Sequence, residues 1–343
     1  MDKTQNKPTA RRLTDGFGRD VTYLRLSVTD RCDMRCSYCM AENMVFLPRE
    51  SLLSLEELTY IAEKFIERGT KKIRITGGEP LVRKNVLSLF DKLGSQLGNG
   101  LDELTLTTNA SLLDRHAQQL VDAGVRRVNI SLDSIDPERF REITRRGDFA
   151  AVMRGIDAAV DAGLKIKINT VALRNGNVAE IPQIVAWAHE RCFDMTLIEV
   201  MPLGDTGDDR IDQYVPLMDV RRALEEQWDL HDEATSMRNA GPARYVQIAE
   251  TGGRLGFITP LTNNFCAGCN RVRVTCTGRI YMCLGQDDHV DLRAALRGSE
   301  NTDVALDAAL DRALGAKPEK HDFFIRERGA APSLPRHMSQ TGG

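Results

Sequence analysis

Six cysteines fall into two sets of three: Cys32-x-x-x-Cys36-x-x-Cys39 near the start, and Cys266-x-x-Cys269 followed by Cys283 near the end. Three thiolates so close together can place their sulfurs on one concave loop surface and grip a metal centre. A cubic 4Fe–4S cluster normally takes four cysteines. Three leave one iron open, and an open position is how a metal site becomes catalytic. Structural zinc would want a fourth Cys or His, and the nearest histidine, His116, is distant in sequence.

The second set is less specific, because Cys276 lies between Cys269 and Cys283 and a four-cysteine zinc ribbon competes with a cluster. Read as a strand, Arg271–Cys276 puts Arg271, Arg273 and Thr275 on one face and Val272, Val274 and Cys276 on the other. That groups Cys276 with apolar residues as a buried thiol. Two guanidiniums on one strand face can form a fork for phosphate or carboxylate, or can simply be a solvated face. Cys192, in an apolar helical stretch near Trp187, reads as core, and the six histidines show no ligand spacing.

These residues must be held by something. Apolar runs at Thr22–Val28, Lys72–Thr76, Glu103–Thr107, Arg127–Ser131, Lys165–Val171 and Met195–Val200 read as strands, with amphipathic helical stretches between them. Ser54–Gly69 shows the logic: Ser54 and Glu57 have capping-box spacing, Leu55, Leu58, Ile61 and Phe65 form a stripe, and Gly69 ends it. Further helical stretches are expected at Lys84–Leu93, Leu112–Ala123, Pro137–Arg146, Ala150–Ala162 and Glu180–Arg191. Six strand–helix units imply a parallel sheet. Residues 20 to 205 are too few for an eight-unit barrel of about 250 residues, so the expectation is α/β, an incomplete (β/α)6 TIM-like barrel. A doubly wound open sheet is the rival. After Gly204–Asp209, a linker, come a helix near Leu217–Trp228, strands near Arg244–Ile248 and Arg254–Ile258, and two helical stretches between Val290 and Leu314. The tail from Lys317 to Gly343 reads as irregular.

The 343 residues are 42% hydrophobic and 28% charged, with a net charge of −3. That gives no general argument for nucleic-acid or membrane binding. The polar segment from Met1 to Asp20 is neither a secretory signal nor a span, so the expected setting is cytoplasmic, where eight cysteines suggest metal ligation or catalysis rather than disulfides.

The first cysteine spacing, with Tyr38 before the last cysteine, resembles the radical S-adenosylmethionine superfamily, whose fold is a partial (β/α)6 barrel. Strand ends here carry Gly77-Gly78-Glu79-Pro80, Thr107-Thr108-Asn109, Ser131 with Asp133, Lys167 with Asn169, and Glu199 with Met201, where barrel enzymes place their sites. Alone, Gly-Gly-Glu-Pro would be a turn. In this context it resembles the superfamily's motif for the methionine amino group, with Glu79 an acceptor suited to ammonium. The resemblance then narrows. Phe17-Gly18-Arg19, Tyr23 through Cys32, Ile73 through Pro80, Gly256-Phe257-Ile258-Thr259-Pro260, and Cys269-Asn270-Arg271-Val272-Arg273 together resemble the GTP 3′,8-cyclase family of molybdenum cofactor biosynthesis, from about residue 13 to the last residue.

That resemblance implies two 4Fe–4S clusters, one on Cys32, Cys36 and Cys39 and one on Cys266, Cys269 and Cys283. It implies S-adenosylmethionine lined by Tyr38, Gly78, Glu79, Ser131 and Met201. It implies GTP held by Arg25, Arg74, Thr107, Lys167, Arg271 and Arg273, and a radical that joins the ribose 3′ carbon to guanine carbon 8. The terminal Gly342-Gly343 would enter the site beside Arg271 and Arg273 as part of the catalytic set. The implied division is 1–205 for the partial barrel and 206–343 for a cluster-binding extension. Implied partners are a cyclic pyranopterin monophosphate synthase that takes the product, an electron donor and, in some settings, a second copy of the chain. Ala41 replaces a usual Pro, and Cys276 a residue usually not cysteine. A peptide-modifying twin-cluster enzyme and a zinc-binding or RNA-binding module are the competing readings.

Overall fold

Each strand of the repeat alternates a buried aliphatic residue with a polar one, and the sheet sorts the two sets onto opposite faces. The computed structural model describes residues 11–233, 241–262, 266–321, 323, 325 and 332–342. The first part runs β1 (Tyr23–Ser27), α1 (Leu55–Glu67), β2 (Lys72–Thr76), α2 (Leu87–Gly94), β3 (Glu103–Thr108) and α3 (Leu113–Asp122). It continues through β4 (Arg127–Ser131), α4 (Pro137–Thr144), α5 (Phe149–Asp161), β5 (Lys165–Ala172), α6 (Ile181–Glu190) and β6 (Asp194–Glu199).

The strands β1 to β6 are parallel neighbours in chain order. Leu24, Leu26, Ile73, Ile75, Leu104, Leu106, Val128 and Ile130 turn outward and are at most 1% exposed. They meet the helices' apolar stripes, where each fully buried aliphatic side chain contributes about 1.5–3 kcal/mol. The helix α1 illustrates the local code. Ser54 Oγ accepts from Glu57 N at 3.1 Å, Ser54 N donates to Glu57 Oε2 at 2.7 Å, and Leu58, Ile61, Ala62 and Phe65 face the sheet.

The remainder comprises α7 (Arg210–Gln213), α8 (Leu217–Glu225), β7 (Leu230–Asp232), β8 (Arg244–Ile248), β9 (Arg254–Ile258), β10 (Arg271–Val274), β11 (Arg279–Tyr281) and β12 (His289–Asp291). Then come α9 (Leu292–Arg297), α10 (Thr302–Gly315) and α11 (Met338–Thr341). Its strands join the same sheet at both edges, giving the order β12-β11-β10-β1-β2-β3-β4-β5-β6-β9-β8-β7. Both β10 and β9 are parallel to their barrel neighbours β1 and β6, and the outer strands are antiparallel. The result is an open, curved half-barrel widened by mixed strands.

Several expectations change. The tail is not wholly irregular: Met338–Thr341 is helical, and Ser339 and Thr341 are at most 1% exposed. The helix expected from Lys84 starts at Leu87, after a short 3-10 turn at Pro80–Val82. Cys192 is not core: α6 ends at Glu190, and Cys192 sits exposed in the following turn with φ +58°. The strand at Arg271 stops at Val274, so Cys276 lies beyond it. There it is 1% exposed, beside Asp30 and Arg83, and burial pushes its thiol up to about 12.

Candidate active site

The inward face of the half-barrel is built by register. Arg271 is level with Tyr23 and Tyr23 with Lys72, while Arg273 is level with Arg25 and Arg25 with Arg74. Further round, Thr107 is level with Asn129, Asn129 with Lys167, and Ser131 with Asn169. Inward side chains of a barrel sheet are usually packed and apolar; here they are cations and polar groups around a cavity. Tyr23, Arg25, Arg74, Lys167, Arg271 and Arg273 line it, and so do Cys266, Cys269 and Cys283.

Crowding cations out of water is costly, and the groups respond. Burial first, then neighbouring guanidiniums, lowers Arg25 to about 10 and Arg273 well below its usual value. Burial and Arg74 bring Lys167 to about 7. Burial alone would raise the Tyr23 phenol, but Arg74, Arg25, Lys72 and Arg271 outweigh it and bring it down to about 7. Arg74 Nε and Asn129 Oδ1 are buried without a hydrogen-bond partner. A polyanion bearing acceptors would relieve both the repulsion and the unmet Arg74 donor.

A second cavity adjoins this one through Asn169, Ile198 and Met201, which line both. Cys32, Cys36, Cys39, Tyr38, Gly78, Thr107, Ser131 and Met201 line it. The cysteine loop is pinned by Arg35 N and Ser37 N, which donate to Thr144 O and Ile143 O at 2.9 Å each. Tyr38 Oη donates to Asp133 Oδ2 at 2.7 Å, and Asn109 Nδ2 to Asp33 Oδ1 at 2.7 Å. A Cβ on Gly78 would lie 2.3 Å from Arg31 O, so only glycine fits against the loop. Burial, then Asp33 or Asp133, raises Cys32 and Cys36 well above the usual thiol value. Burial takes Cys39 to about 11, against the pull of Arg210.

Glu79 stands apart from the other expected residues. It is fully buried, lines neither cavity, and accepts from Leu81 N, Thr108 Oγ1 and Asn109 N at 3.0, 2.9 and 2.7 Å. Burial raises its carboxyl to about 7. These bonds tie the turn at Pro80–Val82 to the end of β3. Thr107 lies in the second cavity, yet its Oγ1 accepts from Arg74 Nη1 at 3.3 Å and so touches both.

Gly342 reaches the site from the tail. Its carbonyl accepts from Arg273 Nη1 at 2.7 Å, its φ is +77°, and a Cβ there would lie 2.0 Å from Thr76 Oγ1. Gly343 lies outside the described residues. Sequence reading missed Tyr23, Lys72, Arg127, Tyr245 and Lys317. The period-two pattern could have found Tyr23 and Lys72, which precede Arg25 and Arg74 by two residues on the same strand face. Lys167 donates to Tyr245 Oη, while Lys72 and Arg127 flank Glu103.

Among the described residues no three His, Cys, Asp or Glu side chains converge on a point that one ion could occupy. A four-iron cluster asks for something else, one thiolate on each of three separate irons. Three cysteines spread around a cavity wall can supply that, and donors to sulfur are in place. Met34 N lies 3.4 Å from Cys32 Sγ, and Lys317 Nζ 3.7 Å from Cys269 Sγ.

Two family models match, the Radical SAM superfamily over residues 26–188 and Molybdenum Cofactor Synthesis C over residues 193–323. The chain is 60% identical to a GTP 3′,8-cyclase of Rhizobium leguminosarum bv. trifolii, covering 96% of this chain and 94% of that one. It is 57% identical to a GTP 3′,8-cyclase of Rhizobium meliloti, covering 100% and 99%. Among solved structures, Streptococcus suis SuiB bound to S-adenosylmethionine shares the fold, with a TM-score of 0.59 at 18% identity over 82% of this chain and 65% of that one. Cysteine sites, cationic half-barrel and near full-length identity agree, and the chain belongs to the GTP 3′,8-cyclase family of the radical S-adenosylmethionine superfamily.

Proposed function

We propose that this chain converts GTP to (8S)-3′,8-cyclo-7,8-dihydroguanosine 5′-triphosphate, the first step of molybdenum cofactor biosynthesis. The observation that carries the reading is the cross-strand row Arg273, Arg25 and Arg74, level in register and facing the same cavity as Cys266, Cys269 and Cys283. A triphosphate is the kind of ligand that offsets so concentrated a positive charge.

Cys32, Cys36 and Cys39 would hold one 4Fe–4S cluster and Cys266, Cys269 and Cys283 a second. With S-adenosylmethionine bound, the first would supply one electron for its reductive cleavage to methionine and a 5′-deoxyadenosyl radical. The chain's own residues provide orientation. Tyr38, Gly78, Ser131 and Met201 line the S-adenosylmethionine end. Arg25, Arg74, Thr107, Lys167, Arg271 and Arg273 anchor GTP so that its ribose points toward the shared wall of Asn169, Ile198 and Met201. Holding the sugar and base in one geometry matters because a radical attacks whatever lies nearest. Gly342, whose carbonyl accepts from Arg273, joins the proposed catalytic set. The same reading divides the chain at residue 205 into a partial barrel and a cluster-binding extension. It hands the product to a cyclic pyranopterin monophosphate synthase, draws electrons from a cytoplasmic donor and allows a homodimer.

The test is anaerobic reconstitution with iron and sulfide, followed by GTP, S-adenosylmethionine and a reductant. The expected products are 5′-deoxyadenosine and cyclised GTP. Absence of both from a protein with full iron content would sink the reading.

A further inference from the structure

Lysine is almost never fully buried unless its ammonium is partnered. Lys317, just past α10, is 3% exposed. Its Nζ donates to Met282 O at 2.9 Å, Arg271 O at 3.3 Å and Cys269 Sγ at 3.7 Å, using the three donors an ammonium has. These acceptors come from separate stretches. Arg271 opens the strand that follows Cys269, and Met282 immediately precedes Cys283. One side chain therefore joins the arm carrying Cys266 and Cys269 to the arm carrying Cys283. None of its three partners is a carboxylate, so the positive charge is not cancelled by them.

We propose that Lys317 is a positioning residue for the second cysteine set, fixing its two arms and setting the redox poise of the cluster they hold. This rests on the reading of Cys266, Cys269 and Cys283 as ligands of a second 4Fe–4S cluster. The reduction potential of such a cluster follows its net charge and the hydrogen bonds to its sulfurs. A fixed cation at one sulfur favours the state that has gained one electron. Arg19 reinforces the frame from the other side, with Nη1 donating to Cys266 O at 2.9 Å and Nη2 to Pro318 O at 2.6 Å.

Three variants of the full chain separate charge from scaffold. Lys317→Met removes both, Lys317→Gln keeps a donor for the carbonyls without charge, and Lys317→Arg keeps the charge. Each is reconstituted anaerobically, its iron counted, and its clusters titrated with dithionite under electron paramagnetic resonance. The signal absent from a Cys266→Ala control identifies the second cluster. The neutral variants are expected to hold their iron and to need a more reducing potential, with the reduced-to-oxidised ratio about tenfold lower, ~59 mV for one electron. Lys317→Arg is expected to stay close to the unaltered protein. Neutral variants with an unchanged second-cluster midpoint would overturn the proposal. If neither neutral variant retains that cluster, Lys317→Arg decides: retention at the normal midpoint upholds it, and loss overturns it. Unaltered protein with about four irons rather than about eight would instead overturn the ligand reading, and this inference with it.

Discussion

The two cysteine triads share a count of thiols and differ in their surroundings. The first triad lies on one short loop among carboxylates: Asp33 and Asp133 add to burial in raising Cys32 and Cys36. The second is assembled from distant stretches among cations. There burial would raise Cys269, but Arg271 and Lys317 outweigh it and the thiol falls below its usual value. The contrast matches the proposed ligands. Acidic surroundings suit the ammonium and sulfonium groups of S-adenosylmethionine, and basic ones suit a triphosphate. The same side chain is thus placed in two opposite fields.

The largest expected effects break that pairing outright. Cys36→Ala should abolish 5′-deoxyadenosine formation, whereas Cys283→Ala should lose cyclised GTP while still cleaving S-adenosylmethionine. Iron counts and product chromatography check both. If Cys283→Ala still cyclises GTP, the second site is not where the substrate sits. Next, Arg74→Ala should raise the KM for GTP by about 10- to 100-fold, the worth of about 1.5–3 kcal/mol for a hydrogen bond to a charged group. It should leave S-adenosylmethionine affinity unchanged, as read by equilibrium binding. Gly342→Ala, whose Cβ would meet Thr76 Oγ1 at 2.0 Å, is expected to push the Gly342 carbonyl off Arg273 and weaken turnover by roughly tenfold, with a circular dichroism spectrum like that of the unaltered protein.

The smallest effect distinguishes the regions by sign of pH dependence in the metal-free chain. Burial raises Asp133 to about 6 and Glu79 to about 7. Both bind protons more readily folded than unfolded, so they favour the fold as pH falls toward about 4. Glu103 is opposite. Burial would raise it, but Arg127 and Lys72 prevail and hold it at about 2. Its contribution is present above about pH 4.3 and lost as pH falls through about 2. Asp133→Asn should flatten the gain in Tm between about pH 6 and pH 4, and Glu103→Gln the loss below it, each by a few degrees in a thermal scan. Parallel curves for the two variants would remove the electrostatic distinction.

Much of this was legible because each strand obeys a strict period of two. Lys72–Thr76 and Arg127–Ser131 are strands with the expected bounds, and alternation alone put Arg271 and Arg273 on one face. What pattern could not supply was the pairing of β10 with β1, which makes those arginines neighbours of Tyr23 and Arg25. Lys317 and Gly342 were beyond local reasoning for a related reason. Each acts through partners tens of residues away, and nothing in an irregular tail marks which residue will turn inward. Glu79 reads from the sequence as an acceptor for an ammonium, and strand-end position could not tell that it also accepts from Leu81 N, Thr108 Oγ1 and Asn109 N.

The flanking of the half-barrel by later strands also has a meaning in time. Thr22 and Asn270, 248 residues apart, are joined by a side-chain hydrogen bond at the seam where β10 meets β1. A chain made from its N-terminus pairs β1 with β2 early, yet leaves the other edge of β1 bare until nearly the whole protein has been synthesised. An open parallel edge is an invitation to foreign strands. It is β10 that finally covers this edge, and by bringing Arg271 and Arg273 level with Tyr23 and Arg25 it completes the seam and the cationic row in a single step.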